Sequence, residues 1–349
     1  MIVVTGAAGF IGSCLVAELN SRGRYDLILV DDLKGNRGAE QATGNIDLIL
    51  VDHLEEGMLF GNIDLKKKNL ANRRYHRYYD KAEYLKLLEA DRFDFDVECI
   101  LHMGACSSTT LADADYFRKN NFEYSCAVAQ WALKNNARLI YASSAATYGD
   151  GGSGYSDDES LVPRLKPLNL YGQSKQWFDE WVLQRGLQSK MTGLKFFNVF
   201  GPTEYHKGDM RSVVSKAYER VVAEGKMSLF KSYNPKYKDG QQMRDFIYVK
   251  DAIDVVMFFM EHPSVNGIFN LGTGRARTWN DLAHALFGAV GRAVNIEYIP
   301  MPEVLRGRYQ YFTQADMGKL RKAGYTKPFT SLEDAVKDYC GYLSTKRCW

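Results

Sequence analysis

Thr5-Gly6-Ala7-Ala8-Gly9-Phe10-Ile11-Gly12 decides the fold. The stretch follows a β-rich apolar run at residues 2–5 and opens an amphipathic pattern over residues 10–20. Glycines at positions 6, 9 and 12 allow a tight turn, close backbone approach to a pyrophosphate, and tight helix–strand packing. The helix that starts here offers free N–H groups and partial positive charge to phosphates.

Outward from this turn, short apolar runs (residues 27–30, 99–102, 139–142 and 194–198) alternate with three-and-four apolar spacing (113–134 and 171–188). The alternation predicts an α/β fold, a Rossmann-type doubly wound parallel sheet with binding at the carboxyl ends of its strands. A length of 349 residues suits one such domain carrying a smaller α/β lobe. Residues 1–196 with 248–275 and 310–322 are assigned to the dinucleotide domain. Residues 197–247 with 276–309 and 323–349 are assigned to the substrate lobe. The segment from about 35 to 80 exceeds a normal connection and reads as an insertion with some structure of its own. Its Lys66-Lys67-Lys68 and Arg73-Arg74-Tyr75-His76-Arg77 runs read as a solvated basic face or subunit contact, or else as a docking patch for an anionic partner.

Apolar residues at 46% and charged residues at 25% exclude a disordered chain. Forty-five Lys and Arg against forty-two Asp and Glu leave +3, which gives no ground for a nucleic-acid partner. No apolar run approaches the roughly 20 residues that span a bilayer, so no membrane partner is expected. The strand pattern from Ile2 leaves no room for a targeting peptide, and a cytoplasmic location follows. Six cysteines are scattered without a Cys-x-x-Cys pair, so reduced thiols and no metal site are expected.

Asp31 ends the second strand. An acid there suits the adenosine ribose hydroxyls and repels a 2′-phosphate, which favours NAD. Lys34 and Arg37 follow at once and either suits a 2′-phosphate, so NADP and NAD both stay open on physics. Asp32 fits a turn cap as well as a cofactor contact. Further on, Tyr171 and Lys175 share one helix face. An ammonium beside a phenol lowers its pKa from about 10 toward the working pH, and such a Tyr can exchange a proton with a carbinol oxygen. Ser144, off a buried strand, would hydrogen-bond the reacting oxygen, whereas Ser143 fits a turn cap better. His102, ending another strand, reads as structural.

The glycine spacing is that of the short-chain dehydrogenase/reductase superfamily. Within it the chain resembles the ADP-L-glycero-D-manno-heptose 6-epimerases through Gly104-Ala105-Cys106-Ser107-Ser108-Thr109-Thr110, residues 142–149 and 197–202, His206-Lys207-Gly208, Arg244-Asp245-Phe246, residues 267–275, and Gly307-Arg308-Tyr309-Gln310 with residues 312–316. The resemblance implies a tightly bound NADP, an ADP-heptose substrate, and a homo-oligomer, a pentamer in this family. It implies oxidation of the sugar's C6″ to a ketone and return of hydride to the opposite face, with Tyr171 serving one stereochemical course and Lys207 the other. Cofactor contacts implied at matching positions are Gly6, Gly9, Phe10, Ile11, Gly12, Asp31, Asp32, Lys81, Met103, Gly104, Ala105, Cys106, Ser107, Asn120, Lys175, Val199 and Lys207. Substrate contacts implied are Asn198, Asp209, Lys216, Phe230, Arg244 and Tyr309.

The chain departs from the family pattern at Asp209, where a serine is expected, at Lys216, where a histidine is expected, and in a lengthened loop at 231–240. These positions bear on sugar specificity. Another nucleotide-sugar epimerase, such as a hexose 4-epimerase, is the alternative. Ala145 and Ala146 after Ser144 supply no carboxylate for the water elimination of a 4,6-dehydratase, and the intact Tyr171–Lys175 pair argues against a non-catalytic dinucleotide sensor.

Overall fold

Every residue of β1 (Ile2–Thr5) is buried, so the strand needs neighbours on both sides and cover on both faces. A computed structural model, which describes residues 1–33, 63–307 and 309–349, places it in the interior of a seven-stranded sheet. Lys34, Arg37, residues 35–62 of the expected insertion, and Arg308 lie outside the described residues.

In chain order the first elements are β1, α1 (Phe10–Ser21), β2 (Leu27–Asp31), α2 (Ile63–Asn69), β3 (Arg77–Asp80), α3 (Lys81–Ala90), β4 (Cys99–His102), α4 (Ala114–Phe117), α5 (Tyr124–Lys134), β5 (Arg138–Ser144), α6 (Leu170–Gln184) and β6 (Thr192–Phe196). Then come β7 (Asn198–Phe200), α7 (Val213–Glu224), β8 (Met227–Phe230), β9 (Met243–Tyr248), α8 (Val249–Glu261), β10 (Gly267–Leu271), β11 (Ala276–Thr278), α9 (Trp279–Ala289), β12 (Ile296–Ile299), α10 (Glu303–Arg306), α11 (Gly318–Lys322) and α12 (Leu332–Thr345). The main sheet runs β3-β2-β1-β4-β5-β6-β10, and every neighbouring pair is parallel.

Alternation along each strand feeds two cores. Ile2, Val4, Leu29 and Leu101 face α1 and α8. Val3, Ile28, Val30 and Ile100 face α3, α5 and α6. The first cluster continues through α8 to Leu286 of α9 and Leu343 of α12, so the smaller sheets, β11-β9-β7 and β12-β8, share a core with the large one. Among the described residues no helix is long and apolar enough to cross a membrane.

Four expectations are corrected. The segment read as an insertion up to residue 80 contributes α2 and the edge strand β3, paired to β2 from Ile28↔Arg77 to Asp31↔Asp80. The 113–134 pattern is not one regular helix: a π-helical segment at Arg118–Glu123 separates α4 from α5. It turns the buried Asn121 amide toward the loop after β4, where it accepts from Cys106 N (2.8 Å) and donates to Cys106 O (2.9 Å) and Ser174 Oγ (2.9 Å). Such bulges are frequent at functional sites. The 194–198 strand breaks at Phe197, whose N–H bonds Leu271 O, and β7 then departs to pair with β9. The helix expected to reach residue 188 ends at Gln184, ahead of the left-handed Gly186.

Candidate active site

The carboxyl ends of β1, β2, β4, β5 and β6 open on one cavity of about 860 Å³. Gly6, in the left-handed region at φ +67°, makes the turn after β1. A Cβ there would lie 2.7 Å from Gly104 Cα, so the turns after β1 and β4 close on each other only as glycines. α1 starts at Gly9 without a side-chain cap, which leaves its first N–H groups to face the cavity as an anion cradle.

Gly6, Gly9, Phe10, Ile11, Gly12, Asp31, Asp32, Lys81, Met103, Gly104, Ala105, Cys106, Ser107, Asn120, Ser144, Tyr171, Lys175, Asn198, Val199 and Lys207 all line this cavity. Asp209, Lys216, Phe230, Arg244 and Tyr309 do not line it. Trp279 does, and Arg244 and Tyr309 group around it: Trp279 Nε1 donates to Tyr309 OH (2.8 Å), and the Arg244 guanidinium lies 5.0 Å from the Tyr309 ring. Arg244 is buried, and desolvation depresses its pKa. Lys216 Nζ donates to Asp209 O (3.2 Å), beside the cavity-lining Met210.

Asp31 is 6% exposed and its carboxylate is fully engaged. Oδ2 accepts from Ala8 N (2.8 Å) and Oδ1 from Lys66 Nζ (3.0 Å), which also reaches Asp32 O. Lys66 therefore does not belong to a solvated basic face, because a buried carboxylate holds it at the cavity wall. Lys81 donates to Asn120 Oδ1 (2.9 Å), and burial lowers its pKa.

The turn cap falls to Ser144 and not to Ser143. Ser144 caps the turn Ala145–Tyr148 by accepting from Ala146 N (3.1 Å), because the strand ends at Ser144 and its Oγ is the atom in reach of the freed N–H. Ser143 instead donates to the buried Asp179 (2.7 Å). Ser144 still lines the cavity and hydrogen-bonds the Tyr171 phenol. Asn169 caps α6 through Gly172 N (2.8 Å) and sets Tyr171 in the first turn.

The expected lowering of the Tyr171 pKa is not found. Desolvation raises it, and the Ser144 hydrogen bond opposes this in part. Lys175 donates to Ala142 O (2.8 Å), and desolvation brings it from 10.5 down to about 8, with Asp179 and Cys106 pulling the other way. His102 is structural as read, buried between Thr5 Oγ1 (2.7 Å) and Ser125 Oγ (2.9 Å).

Lys207 enters from the turn Tyr205–Met210 and lies 5.1 Å from the Phe10 ring, with its pKa lowered by desolvation against the pull of Glu204. The preceding His206 meets Asn69 Nδ2 (3.0 Å), which also donates to Ala8 O (2.9 Å), so one α2 side chain ties the Lys207 turn to the glycine turn. The sequence reading gave Lys66 only as part of a basic run and missed Asn69 and Asn121. Otherwise the only signal for Lys66 and Asn69 was their place beyond an overlong connection, and Asn121 had none.

A parallel nucleotide-binding sheet whose cavity also holds a serine and a Tyr-x-x-x-Lys helix defines a dinucleotide-dependent enzyme. The chain belongs to the NAD dependent epimerase/dehydratase family, whose profile matches residues 2–272. It is similar to the ADP-L-glycero-D-manno-heptose-6-epimerase of Nitratidesulfovibrio vulgaris strain Hildenborough, at 49% identity over 97% of this chain and 96% of that protein. The enzyme of that name from Fusobacterium nucleatum subsp. nucleatum is 42% identical over the same shares. The crystal structure of the Helicobacter pylori ADP-L-glycero-D-manno-heptose-6-epimerase superposes with a TM-score of 0.74 at 25% identity, over 98% of this chain and 96% of that one.

Proposed function

We propose that this epimerase converts ADP-D-glycero-D-manno-heptose to ADP-L-glycero-D-manno-heptose through a transient 6″-ketone of the sugar. The observation that carries the reading is the meeting of Tyr171 and Lys207, brought by separate elements, in the cavity that opens on the glycine turn. C6″ bears no acidic proton, so inversion needs oxidation and return of hydride, with a proton-transfer group available for each face. A bound nicotinamide dinucleotide supplies the hydride acceptor and donor.

The residues present fit that group. The uncapped N-terminus of α1 and the Gly6–Gly104 approach make room for a pyrophosphate. NADP is the form the charges favour, because Lys66 neutralises Asp31 at the position where an unpaired acid would repel a 2′-phosphate. Tyr171 moves a proton on one side of C6″ and Lys207 on the other, while Ser144 orients the oxygen. Lys175 anchors the first turns of α6 to β5 through Ala142 O. Arg244, a fork of donors that meets Met243 O and tyrosines but no carboxylate among the described residues, suits the substrate diphosphate. Asn198, Phe230 and Tyr309, with Asp209 and Lys216, complete the sugar-nucleotide contacts. On the family resemblance, the dinucleotide domain (1–196, 248–275, 310–322) and the substrate lobe work within a cytoplasmic homo-oligomer.

The test is incubation with ADP-D-glycero-D-manno-heptose, following the 6″ configuration by NMR. Appearance of the L-glycero epimer supports the reading. An unchanged substrate, or inversion at C4″ of a nucleotide-hexose instead, overturns it.

A further inference from the structure

A deeply buried ion pair lies directly behind the proposed catalytic groups. Asp179 (0% exposed) and Lys195 (1% exposed) pair at 2.7 Å. Asp179 is one turn beyond Lys175 on α6, and Lys195 is on β6. The carboxylate also accepts from Tyr141 OH (3.1 Å) and Ser143 Oγ (2.7 Å), both on β5. Lys195 Nζ donates to Thr147 Oγ1 (2.8 Å), which in turn donates to Ser144 O (2.8 Å). One carboxylate thus joins α6, β5 and β6, and its chain of bonds ends on the residue that holds the Tyr171 phenol.

An ion pair this deep is weak as a source of stability, since desolvation offsets most of its attraction. Two well-packed apolar residues would serve a plain core as well. What the pair provides instead is a fixed geometry and a fixed charge. We propose that Asp179, held by Lys195, is a positioning residue that registers the Tyr171–Lys175 helix against the Ser144 turn and keeps a negative charge one helical turn behind Lys175.

The titratable groups around Lys175 come from several elements. Tyr171 and Asp179 share its helix, Cys106 comes from the loop after β4, and His102 ends β4. Of these, Asp179 and Cys106 favour its charged form. Asp179 is the stronger of the two, and desolvation by the surrounding protein opposes both.

The inference rests on the proposed reaction, but its main test does not require turnover. The pH dependence of Lys175 acetylation by acetic anhydride is followed by mass spectrometry on the protein as purified, for wild type, Asp179→Asn and Lys195→Met. Wild type is expected to show a midpoint near 8. Asp179→Asn should move it down by at least about half a pH unit, and Lys195→Met, which leaves the carboxylate without its counter-charge, should move it up by a similar amount. Opposite shifts are what a pair without electrostatic reach to Lys175 would not give, and the kcat loss below separates positioning from packing. Should Lys195→Met fail to fold, the neutral double variant takes its place and must titrate above Asp179→Asn. In the epimerase assay Asp179→Asn should lose at least about tenfold in kcat with KM within about twofold. Midpoints that coincide for wild type and variants overturn the inference and leave the reaction standing. A wild type that does not turn over ADP-heptose overturns the reaction, and the labelling still decides the role of Asp179.

Discussion

Lys66 Nζ stands 3.0 Å from Asp31 Oδ1, joining the helix that follows the long segment after β2 to the acid that ends β2. The pairing reverses what that acid means on its own. A bare carboxylate selects ribose hydroxyls, whereas one already bonded to Ala8 N and to an ammonium presents little net negative charge. Lys66→Ala is therefore expected to shift preference from NADP toward NAD. The ratio of the two dissociation constants, read by fluorescence titration, should change by at least about tenfold, the scale of a lost charge-assisted contact. An unchanged ratio would remove Lys66 from cofactor choice.

Tyr171 and Lys207 reach one cavity from α6 and from the Tyr205–Met210 turn. If each handles the proton on one face of C6″, neither substitutes for the other. Tyr171→Phe and Lys207→Met should each reduce kcat by about 10²–10⁴-fold, the usual range for a lost acid–base group. Bound cofactor, measured by its release on denaturation, should remain. A near-normal rate in either variant would break the two-group assignment.

What the sequence disclosed, and what it hid, follows from range. The glycine turn and the Tyr171–Lys175 pair are local patterns, and their spacing alone placed them. Lys66, Asn69 and Asn121 act through partners far along the chain, Asp31, Ala8 with His206, and Cys106, and no spacing rule reports such contacts. Ser144 took the cap expected of Ser143 because a cap depends on the residue at which a strand stops. The Tyr171 pKa moved opposite to expectation because burial outweighs the Ser144 hydrogen bond, while the Lys175 ammonium is spent on Ala142 O. Five strands of the main sheet were legible as apolar runs, but β3, the π-helical segment and the break at Phe197 were set by tertiary bonds.

Two histidines make the fold sensitive to acid. Burial takes His102 from 6.5 down to about 3 and His206 down to about 4. Both stay neutral when folded at pH 5, whereas the unfolded chain protonates them below about 6.5. The unfolded state then binds more protons, so the stability they contribute is present above that value and is lost as pH falls through the window toward 4. Between pH 7 and 5 each should cost about 2 kcal/mol of unfolding free energy. His206→Gln, whose side-chain carbonyl can still accept from Asn69, should shrink the pH 7-to-5 difference in urea denaturation by about that amount. A slope identical to wild type would mean that His206 titrates normally.

Gly172 sets two effects of opposite sign against each other. Alanine in a helix is favoured over glycine by about 1 kcal/mol, so Gly172→Ala should strengthen the first turns of α6. The added Cβ would lie 2.7 Å from Ala146 O, however, in the turn that Ser144 caps. That contact is with backbone, so no side chain can rotate away, and the helix must move off the turn. Tyr171 is the neighbouring residue and moves with it. A displacement near 1 Å can cost about 10²-fold in rate while leaving the fold intact. Gly172→Ala is expected to keep its melting temperature within a few degrees and its bound cofactor, yet lose most of its kcat. Wild-type kcat in this variant would show that the close approach of α6 to the Ser144 turn is not what places the phenol.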